Sequence, residues 1–483
     1  MISSTQPESA RRWPAFAVCI AAAIATVLDM VKINVAIAPI EHSLGASSSQ
    51  AQLIVAGYVL AFGIVLVPAG RLGDIWRRKS MFLIGAILFT LASLGCTLAP
   101  SAELLVIGRL VQGVAAGTLM PQVIGFIQQM FQGKERGKAF GIFGASIGLG
   151  TAFGPTIGGM LIGALGEELG WRAIYGMNLP LGVAIVAFAF WFLPAQQPHA
   201  RKLNLDLFGV ALLATAVLLV MTPLVLTTGT SADDPARWWL AVAAVIPAVA
   251  FVLWERRYAR QGKSPAVNLE LFKLPSYRWG VIIGSLFFVI MPPTFFIMTQ
   301  YVQMGLGHEP VIVGLITVPY ALVSAAVSAT AGKYTFAHAK VMVLIGIAIF
   351  TLGLAGLMLV GQFASPELTP WLMGIVLTFV GVGPGLLMPA NQMRAVKDVP
   401  VTQAGVAGSM MQVGQRVGNA LGIALAASTF FAAYVDRTEA SARQGYVAAM
   451  CILIAAALLA TLVAYIDVVG SKGNESAAAS PQA

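Results

Sequence analysis

The sequence predicts an all-α membrane protein, in which two six-helix bundles are related by pseudo-twofold symmetry and two further helices lie between them. Three observations support this fold class. Only 10% of the 483 residues are charged and 58% are hydrophobic, whereas about 25% of the residues in an average globular domain are charged. Apolar runs of membrane-crossing length recur along the chain. A pattern of glycine and proline also recurs in both halves of the sequence.

Fourteen apolar runs have the length that crosses about 30 Å of hydrocarbon as a helix, at about 1.5 Å per residue. The first run is too long for the apolar core of a signal peptide, so we expect it to remain as a true helix. The predicted spans are 14–38, 51–69, 80–99, 103–130, 138–164, 173–194, 207–228, 237–257, 278–303, 309–331, 340–361, 370–392, 404–434 and 445–468.

The charges of the loops separate by side and predict the orientation. Loops on one side hold most of the lysine and arginine residues, including Arg77, Arg78 and Lys79, whereas the other side is rich in acids such as Glu167 and Glu168. Lysine- and arginine-rich loops stay in the cytoplasm. We therefore expect a multi-pass protein of the cell inner (cytoplasmic) membrane with both termini cytoplasmic. The same bias accounts for the net charge of +9, so nucleic acid is not an expected partner.

Several other classes of protein are disfavoured. Cys19, Cys96 and Cys451 lie in apolar runs without metal-ligand spacing, and the four histidines are scattered, so the sequence predicts no metal site, no disulfide framework and no enzyme. A phosphate-binding loop is absent from the sequence, so ATP is not the expected energy source. The internal repeat and the glycine-rich helices disfavour a channel.

The internal repeat predicts the domain organisation. Residues 113–121 match residues 381–389, and the same offset of 268 residues aligns Gly137 with Gly405 and Gly154 with Gly422. Paired bundles with a site between them are the usual geometry of secondary transporters. The predicted regions are a cytoplasmic tail at 1–13, an N-terminal six-helix bundle at 14–196, two inserted helices with a basic loop at 197–276, a C-terminal six-helix bundle at 277–468 and a disordered tail at 469–483.

Five motifs resemble those of the major facilitator superfamily, and in particular its fourteen-span drug:proton antiporter branch. The loop from Gly70 to Lys79 resembles the loop that follows the second helix of these transporters; the alternative is a generic positive-inside loop. The other four motifs are Arg109-Leu-Val-Gln112-Gly113 in span four, Gly150 to Gly159 in span five, Leu28-Asp29 to Pro39 in span one and Trp171-Arg172 to Pro180.

This resemblance implies proton-driven export of small amphipathic molecules such as drugs, antibiotics or secondary metabolites. The expected partners are a small-molecule substrate, protons and membrane lipids. We expect the protein to be a monomer, driven by the proton gradient without a cofactor. An exporter of an endogenous anionic metabolite or lipid and a proton-coupled uptake carrier are the alternatives.

Two motifs are candidates for conformational roles. In the loop we expect Asp74 and Arg71 to form a cytoplasmic gate, to which Gly70, Gly73, Arg77 and Arg78 also belong, although the last two residues could simply set the topology. The glycines of span five allow close helix packing and Pro155 weakens its backbone hydrogen bonds, so the helix can bend or slide. Packing alone is the alternative. The antiporter-motif residues are Gly150, Gly154, Pro155, Gly158 and Gly159.

Four charges lie well inside the predicted spans, away from their ends, where each costs roughly 2.5–3.5 kcal/mol. They are Asp29, Lys32, Arg109 and Arg416. Asp29 is the leading candidate for reversible protonation, because an apolar environment favours the neutral form of a carboxyl group. Lys32 lies three residues later on the same helical face and can pair with Asp29, so a permanent structural ion pair is the alternative. The family resemblance implies that Arg109 also takes part in proton coupling.

Lys32 departs from the family pattern, which has a small hydroxyl residue and then apolar residues between the aspartate and Asn34. If the charges share one cavity, their excess of cations favours anionic, zwitterionic or neutral amphipathic substrates over cationic drugs.

The cavity is expected to lie between the two bundles. Gln412, Gln415, Arg416 and Asn419 form a polar stripe on span thirteen, which either lines the cavity or joins helices by hydrogen bonds. The remaining cavity candidates are Lys32, Asn34, Tyr58, Gln112, Gln122 and Asn391.

Overall fold

The computed structural model describes residues 6–194, 206–226, 234–263, 265–332 and 334–479, and within these residues it contains helices and no β-strand. Short 3₁₀ segments occur at Ile33–Val35, Pro235–Arg237, Leu269–Lys273 and Val401–Gln403, and a π-helical turn at Tyr301–Gly305. The α-helices are α1 (Gln6–Lys32), α2 (Ile37–Leu44), α3 (Ser48–Ile75), α4 (Arg78–Thr97), α5 (Ala102–Met130), α6 (Gly133–Gly176), α7 (Asn178–Phe192), α8 (Leu207–Leu226), α9 (Trp238–Ala243), α10 (Val245–Arg260), α11 (Pro275–Gln300), α12 (Pro310–Ala331), α13 (Thr335–Phe363), α14 (Thr369–Val380), α15 (Val382–Ala395), α16 (Ala404–Ala433) and α17 (Glu439–Ala479).

Thirteen stretches of the described chain are long and apolar enough to cross a membrane, and one of them accounts for two crossings. That stretch, Gly133–Phe192, has 60 residues, about twice the length of one crossing. Gly166 interrupts it with a φ of 79°, and a Cβ on Gly170 would lie 2.5 Å from the Cα of Ile162. A continuous helix would separate residues 162 and 170 by about 12 Å. The chain therefore folds back at Gly166, and the predicted fourteen spans are confirmed.

Each half of the molecule has an extensive apolar core, and the first core extends onto the C-terminal half at Val406 and Val413. The first core contains Phe62 and Phe126 among its buried aromatic residues, and the second contains Phe287 and Phe350. Continuous apolar burial of this kind holds the helices of each half together through close packing. The fold class predicted from the sequence is thereby confirmed, including the pseudo-symmetric pair of bundles.

The inserted helix α8 packs against both halves. Met221 of α8 lies close to Gly63 of α3. A Cβ built on Gly63 would lie 2.9 Å from the sulfur of Met221. Leu224 of α8 shares a small apolar cluster with Ala420 and Ala424 of α16. Because α3 and α16 belong to different halves, α8 covers the line along which the halves meet.

Two pseudo-symmetric helix crossings join the halves on one side of the molecule, which we call the loop-70 side because residues 70–79 lie there. At the first crossing, α3 meets α16, and a Cβ on Gly405 would lie 2.7 Å from the carbonyl oxygen of Gly70. At the second, α6 meets α12, and a Cβ on Gly332 would lie 2.8 Å from the carbonyl oxygen of Gly137. The repeat pairs Gly137 with Gly405, so the same backbone-to-backbone contact is built twice.

A serine forms a hydrogen bond across each crossing. At both crossings the serine belongs to the helix of the C-terminal half. Ser409 of α16 donates a hydrogen bond of 2.7 Å to the carbonyl oxygen of Leu66 in α3. Ser328 of α12 donates one of 2.8 Å to the carbonyl oxygen of Gly141 in α6. Small residues and hydroxyl groups of this kind let membrane helices approach closely. The halves are consequently closed against each other on the loop-70 side.

Replacing Gly405 with valine should open the first crossing, because the new side chain meets backbone atoms and the carboxylate of Asp74 rather than a flexible side chain. Overpacking of this kind costs about 1–3 kcal/mol, so the unfolding midpoint of the detergent-solubilised protein should fall. Gly159→Val is the matched control, because nothing lies within 4 Å of a Cβ at Gly159. Equal midpoints for the two variants would contradict this assignment.

Candidate functional site

A buried ion cluster surrounds Asp29 near the point where α1 ends. The carboxylate Oδ2 accepts a hydrogen bond of 2.5 Å from Arg109, and Oδ1 accepts one of 2.7 Å from the amide of Asn178. The ammonium of Lys32 lies 3.4 Å from Oδ1. The side chains of Asp29, Lys32 and Arg109 are fully buried. Because α1 continues as a 3₁₀ turn at Ile33–Val35, the cluster lies directly at a break in the helix.

Asn178 connects Asp29 both to Lys32 and to the neighbouring helix α4. Its carbonyl oxygen accepts a hydrogen bond of 2.6 Å from Lys32 while its amide nitrogen donates to Asp29 and, at 3.2 Å, to Ser93 of α4. Asn178 lies within the motif that runs from Trp171 to Pro180, but neither Asn178 nor Ser93 was predicted to belong to the site. A polar residue at the first position of the apolar helix α7 was the available signal.

Arg109 is held in place from several directions. Its Nε donates to the carbonyl oxygen of Ile54 at 2.9 Å and its Nη1 also donates to Gln112 at 2.7 Å. Gln112 in turn donates to Ser93 at 2.8 Å. The guanidinium carbon lies 4.3 Å from the ring centre of Tyr58, a cation–π distance. The predicted residues Asp29, Lys32, Tyr58, Arg109 and Gln112 therefore come together in one cluster.

The cluster holds one acid and two cations, all with fully buried side chains. Breaking a buried ion pair by removing one partner costs about 3–5 kcal/mol, because the other charge stays uncompensated. Protonation of Asp29 would have the same consequence for Lys32 and Arg109. Protonation of Asp29 would therefore weaken the contacts that this cluster makes between α1, α5 and α7.

Aromatic rings connect this cluster to the other half of the molecule. Tyr58 donates a hydrogen bond of 2.9 Å to the carbonyl oxygen of Thr26, and its ring centre lies 6.2 Å from that of Phe62. The guanidinium carbon of Arg416, from the other half, lies 4.5 Å from the ring centre of Phe62. The order across the interface is Arg109, Tyr58, Phe62 and Arg416.

The antiporter-motif helix packs against the helix that carries Asp29. A Cβ on Gly154 would lie 3.1 Å from Cβ of Val31, and one on Gly158 would lie 2.8 Å from the carbonyl oxygen of Lys32. Gly150 approaches α1 less closely, at 3.7 Å from Val27, and Gly159 faces open space. Two of the four motif glycines thus permit contact between α6 and the break in α1.

Asp74 links the halves on the loop-70 side. Its carboxylate accepts hydrogen bonds from the backbone N–H groups of Gly405 and Val406, at 3.1 and 3.0 Å, and lies 2.6 Å from Arg78. These two N–H groups belong to the first turn of α16, where the helix dipole favours an anion. Arg78 also donates to the carbonyl oxygens of Gly125 and, at 3.4 Å, Val401.

Arg78, rather than Arg71, therefore forms the ion pair with Asp74. The guanidinium of Arg71 is buried, and its Nε and Nη2 form no hydrogen bond among the described residues. Asp74 acts on it electrostatically, as do Glu255 and Asp206 from the inserted region. The carboxylates of Glu255 and Asp206 are close to each other, since one oxygen of each lies within 2.6 Å of a Cβ built on Gly209. This acid pair was not predicted from the sequence.

The remaining predicted residues are distributed over three places. Gln122 donates to the carbonyl oxygen of Ala69 at 2.9 Å and its amide fills the space beside Gly73, so it supports the gate loop rather than the Asp29 cluster. Arg77 and Asn34 are exposed. The stripe on α16 stays together, and Asn391 lies near it on α15, where its amide donates to the carbonyl oxygen of Gly280 at 2.8 Å.

Comparison with known proteins identifies the family of this chain. Residues 16–423 match the profile of the Major Facilitator Superfamily. The chain belongs to this superfamily. It is a multi-pass membrane transporter and not an enzyme, and its fourteen spans agree with the fourteen-span branch. The human organic anion transporter MFSD10 has a similar fold, with a TM-score of 0.68 over 95% of this chain and 100% of that chain at 14% identity.

Two bacterial members of the superfamily are similar in sequence. The probable actinorhodin transporter of Streptomyces coelicolor is 34% identical over 451 residues, which cover 91% of this chain and 76% of that protein. The puromycin resistance protein of Streptomyces alboniger is 31% identical over 434 residues, which cover 88% of this chain and 82% of that protein.

Neutralising Asp74 should loosen the closed crossing of this major facilitator transporter. Asp74→Asn removes the charge that faces the α16 N-terminus and leaves Arg78 buried without its anion. We expect a thiol placed at Ser409 to react at least about tenfold faster with a maleimide, which corresponds to about 1.4 kcal/mol. The measurement uses protein in which exposed Cys451 is replaced by serine. Glu135→Gln, which alters an exposed ion pair with Arg12, is the control, and an unchanged rate in Asp74→Asn would refute the assignment.

Proposed function

We propose that this transporter exports small amphipathic molecules, such as drugs, antibiotics or secondary metabolites, in exchange for protons. The observation that carries the proposal is the buried Asp29–Arg109–Lys32 cluster, which contains a single acid at a helix break. The names of the two Streptomyces relatives, one a probable transporter of an antibiotic and one a resistance protein, support export of such compounds.

The proposed orientation places the loop-70 side and both termini in the cytoplasm, because the basic loops lie on that side. With this orientation, the structure is closed toward the cytoplasm by the two glycine crossings and by Asp74. Export then requires these crossings to separate so that substrate can enter from the cytoplasm. The α8 helix, which touches both α3 and α16, must move with one of them.

The proposed cycle depends on the charge of Asp29. In the state described here, its carboxylate accepts hydrogen bonds from Arg109 and Asn178. A proton arriving from outside binds a carboxylate oxygen, and the two cations lose their common anion. The resulting repulsion between Arg109 and Lys32 favours a different packing of α1. Release of the proton to the cytoplasm restores the ion pair, so no cofactor is needed to drive the cycle.

The contact between α1 and α6 allows a change in the charge of Asp29 to move α6. The carbonyl oxygen of Lys32 lies against Gly158, and the opposite end of α6 forms the crossing with α12 at Gly137 and Gly141. A shift of α1 at its 3₁₀ break therefore acts on a helix that also holds the cytoplasmic closure. This connection supports a conformational role for the antiporter motif in addition to packing.

Asp29→Asn should abolish proton coupling, because asparagine keeps hydrogen-bonding groups at this position but does not bind and release a proton. The assay is the collapse of a preset proton gradient in inside-out vesicles on addition of cationic, anionic or neutral amphiphiles. We expect the signal to fall to that of vesicles without transporter. Glu270→Gln, which removes an exposed acid paired with Lys273, should behave like the parent. Full coupling in Asp29→Asn would show that Asp29 and Lys32 form a structural pair.

A further inference from the structure

Arg416 is half-buried and has no acid beside it among the described residues, in contrast to three buried arginines. Arg78, Arg109 and Arg394 each form an ion pair, with Asp74, Asp29 and Asp467 respectively. Among the described residues, no carboxylate lies within ion-pair distance of Arg416. Its Nη1 instead lies 2.9 Å from the sulfur of Met30, and its guanidinium faces the ring of Phe62.

The Met30 sulfur and the Phe62 ring are weak partners for a cation. A thioether sulfur is a poor hydrogen-bond acceptor, and a cation–π contact contributes about 0.5–2 kcal/mol. By comparison, a charge near the centre of a membrane helix costs roughly 2.5–3.5 kcal/mol. The guanidinium therefore has unused capacity for an anion, and guanidinium binds carboxylate oxygens in pairs.

The position of Arg416 fits a substrate site rather than a structural one. It lies near the middle of α16, in the C-terminal half, yet both of its contacts belong to the N-terminal half. Met30 is the residue next to Asp29. On the same stripe, the amide nitrogen of Gln412 and the carbonyl oxygen of Asn419 have no hydrogen-bond partner among the described residues. The stripe thus presents a cation together with free polar groups at the interface between the halves.

We propose that Arg416 binds the anionic group of the substrate and that the substrate is an aromatic monoanion, such as an aromatic carboxylate or phenolate. The anion would take the place of the Met30 sulfur at the guanidinium. The ring would pack on Phe62 and Tyr58, which lie next to each other and are buried in this closed state, once separation of the halves uncovers their flat apolar faces. This assignment rests on the proposed export function and specifies its substrate class.

The membrane potential can drive both the proton that binds Asp29 and the anion that binds Arg416. An anion leaving the cell and a proton entering it both move charge in the direction that an inside-negative membrane potential favours, by about 2.3 kcal/mol per charge per 100 mV. The proton site lies in one half and the anion site faces it from the other. Proton and substrate therefore do not compete for one group, and their exchange relies on alternate exposure of both sites.

Binding of three probes with the same ring tests the charge preference directly. The probes are 9-anthracenecarboxylate, 9-anthracenemethanol and 9-anthracenemethylammonium, and binding is followed by quenching of tryptophan fluorescence in phosphatidylcholine nanodiscs. The parent should bind the carboxylate at least about tenfold more tightly than either other probe, as expected for a charge-assisted hydrogen-bonded pair.

Substitutions at Arg416 separate a substrate contact from a structural role. Arg416→Gln should remove the preference for the carboxylate while leaving binding of the neutral probe within about twofold, which also shows that the site is folded. Arg416→Lys should keep most of the preference because it keeps the charge. Arg443→Gln, at an ion pair near one end of α17, is the control and should bind like the parent.

Three results would overturn the proposal: equal binding of the three probes by the parent, absence of binding of the carboxylate, or an unchanged preference in Arg416→Gln. Failure of the proton-exchange function gives a different pattern. In that case Asp29→Asn would retain full proton coupling, or protons and anion would move in the same direction, while the dependence of probe binding on Arg416 would persist.

Discussion

The free-energy cost of holding charge inside a bilayer is the constraint on which this structure depends. A buried ion is stabilised by a partner of opposite charge, and the pairs Asp74–Arg78, Asp29–Arg109 and Asp467–Arg394 each join two different helices. Asp29 joins α1 to α5 and α7, and Asp74 joins the N-terminal half to the first turn of α16. Changing the charge of either acid consequently changes which helices are held together.

Glycine makes these electrostatic contacts possible. The Asp74 carboxylate reaches the N–H groups of α16 because Gly70 and Gly405 allow the two helices to approach to backbone contact. In the same way, Gly158 lets α6 lie directly on the carbonyl oxygen of Lys32. In the proposed cycle, the motif glycines and the motif charges act together, because close packing passes a change in charge at one helix to the crossings that close the two halves.

The sequence was sufficient to predict the fold because the length of apolar runs and the offset of the repeat reflect the bilayer and the symmetry directly. It also drew attention to Asp29 and Arg109, which the structure places in one buried ion pair, since charges inside apolar runs are conspicuous. Asn178 and Ser93 were missed because a single neutral polar residue in a membrane helix carries no signal that separates hydrogen bonding from simple packing.

The partner of Asp74 could not be read from the sequence for a different reason. Arg71, Arg77 and Arg78 lie in one short segment, and the choice among them depends on how the chain turns after α3. The turn at Trp76 and Arg77 directs Arg78 inward and leaves Arg77 exposed. Likewise, the acid pair of Asp206 and Glu255 is distant in sequence and is brought together only when the inserted helices pack against each other.

Infrared difference spectroscopy on acidification would test most directly whether Asp29 binds and releases a proton inside its ion cluster. The observable is the C=O stretching band that a carboxyl group gains when it is protonated. We predict that the parent in nanodiscs shows a band that is absent from Asp29→Asn and is retained in Asp74→Asn. Identical bands in the parent and in Asp29→Asn would contradict the account, because the coupling proton would then reside on another group.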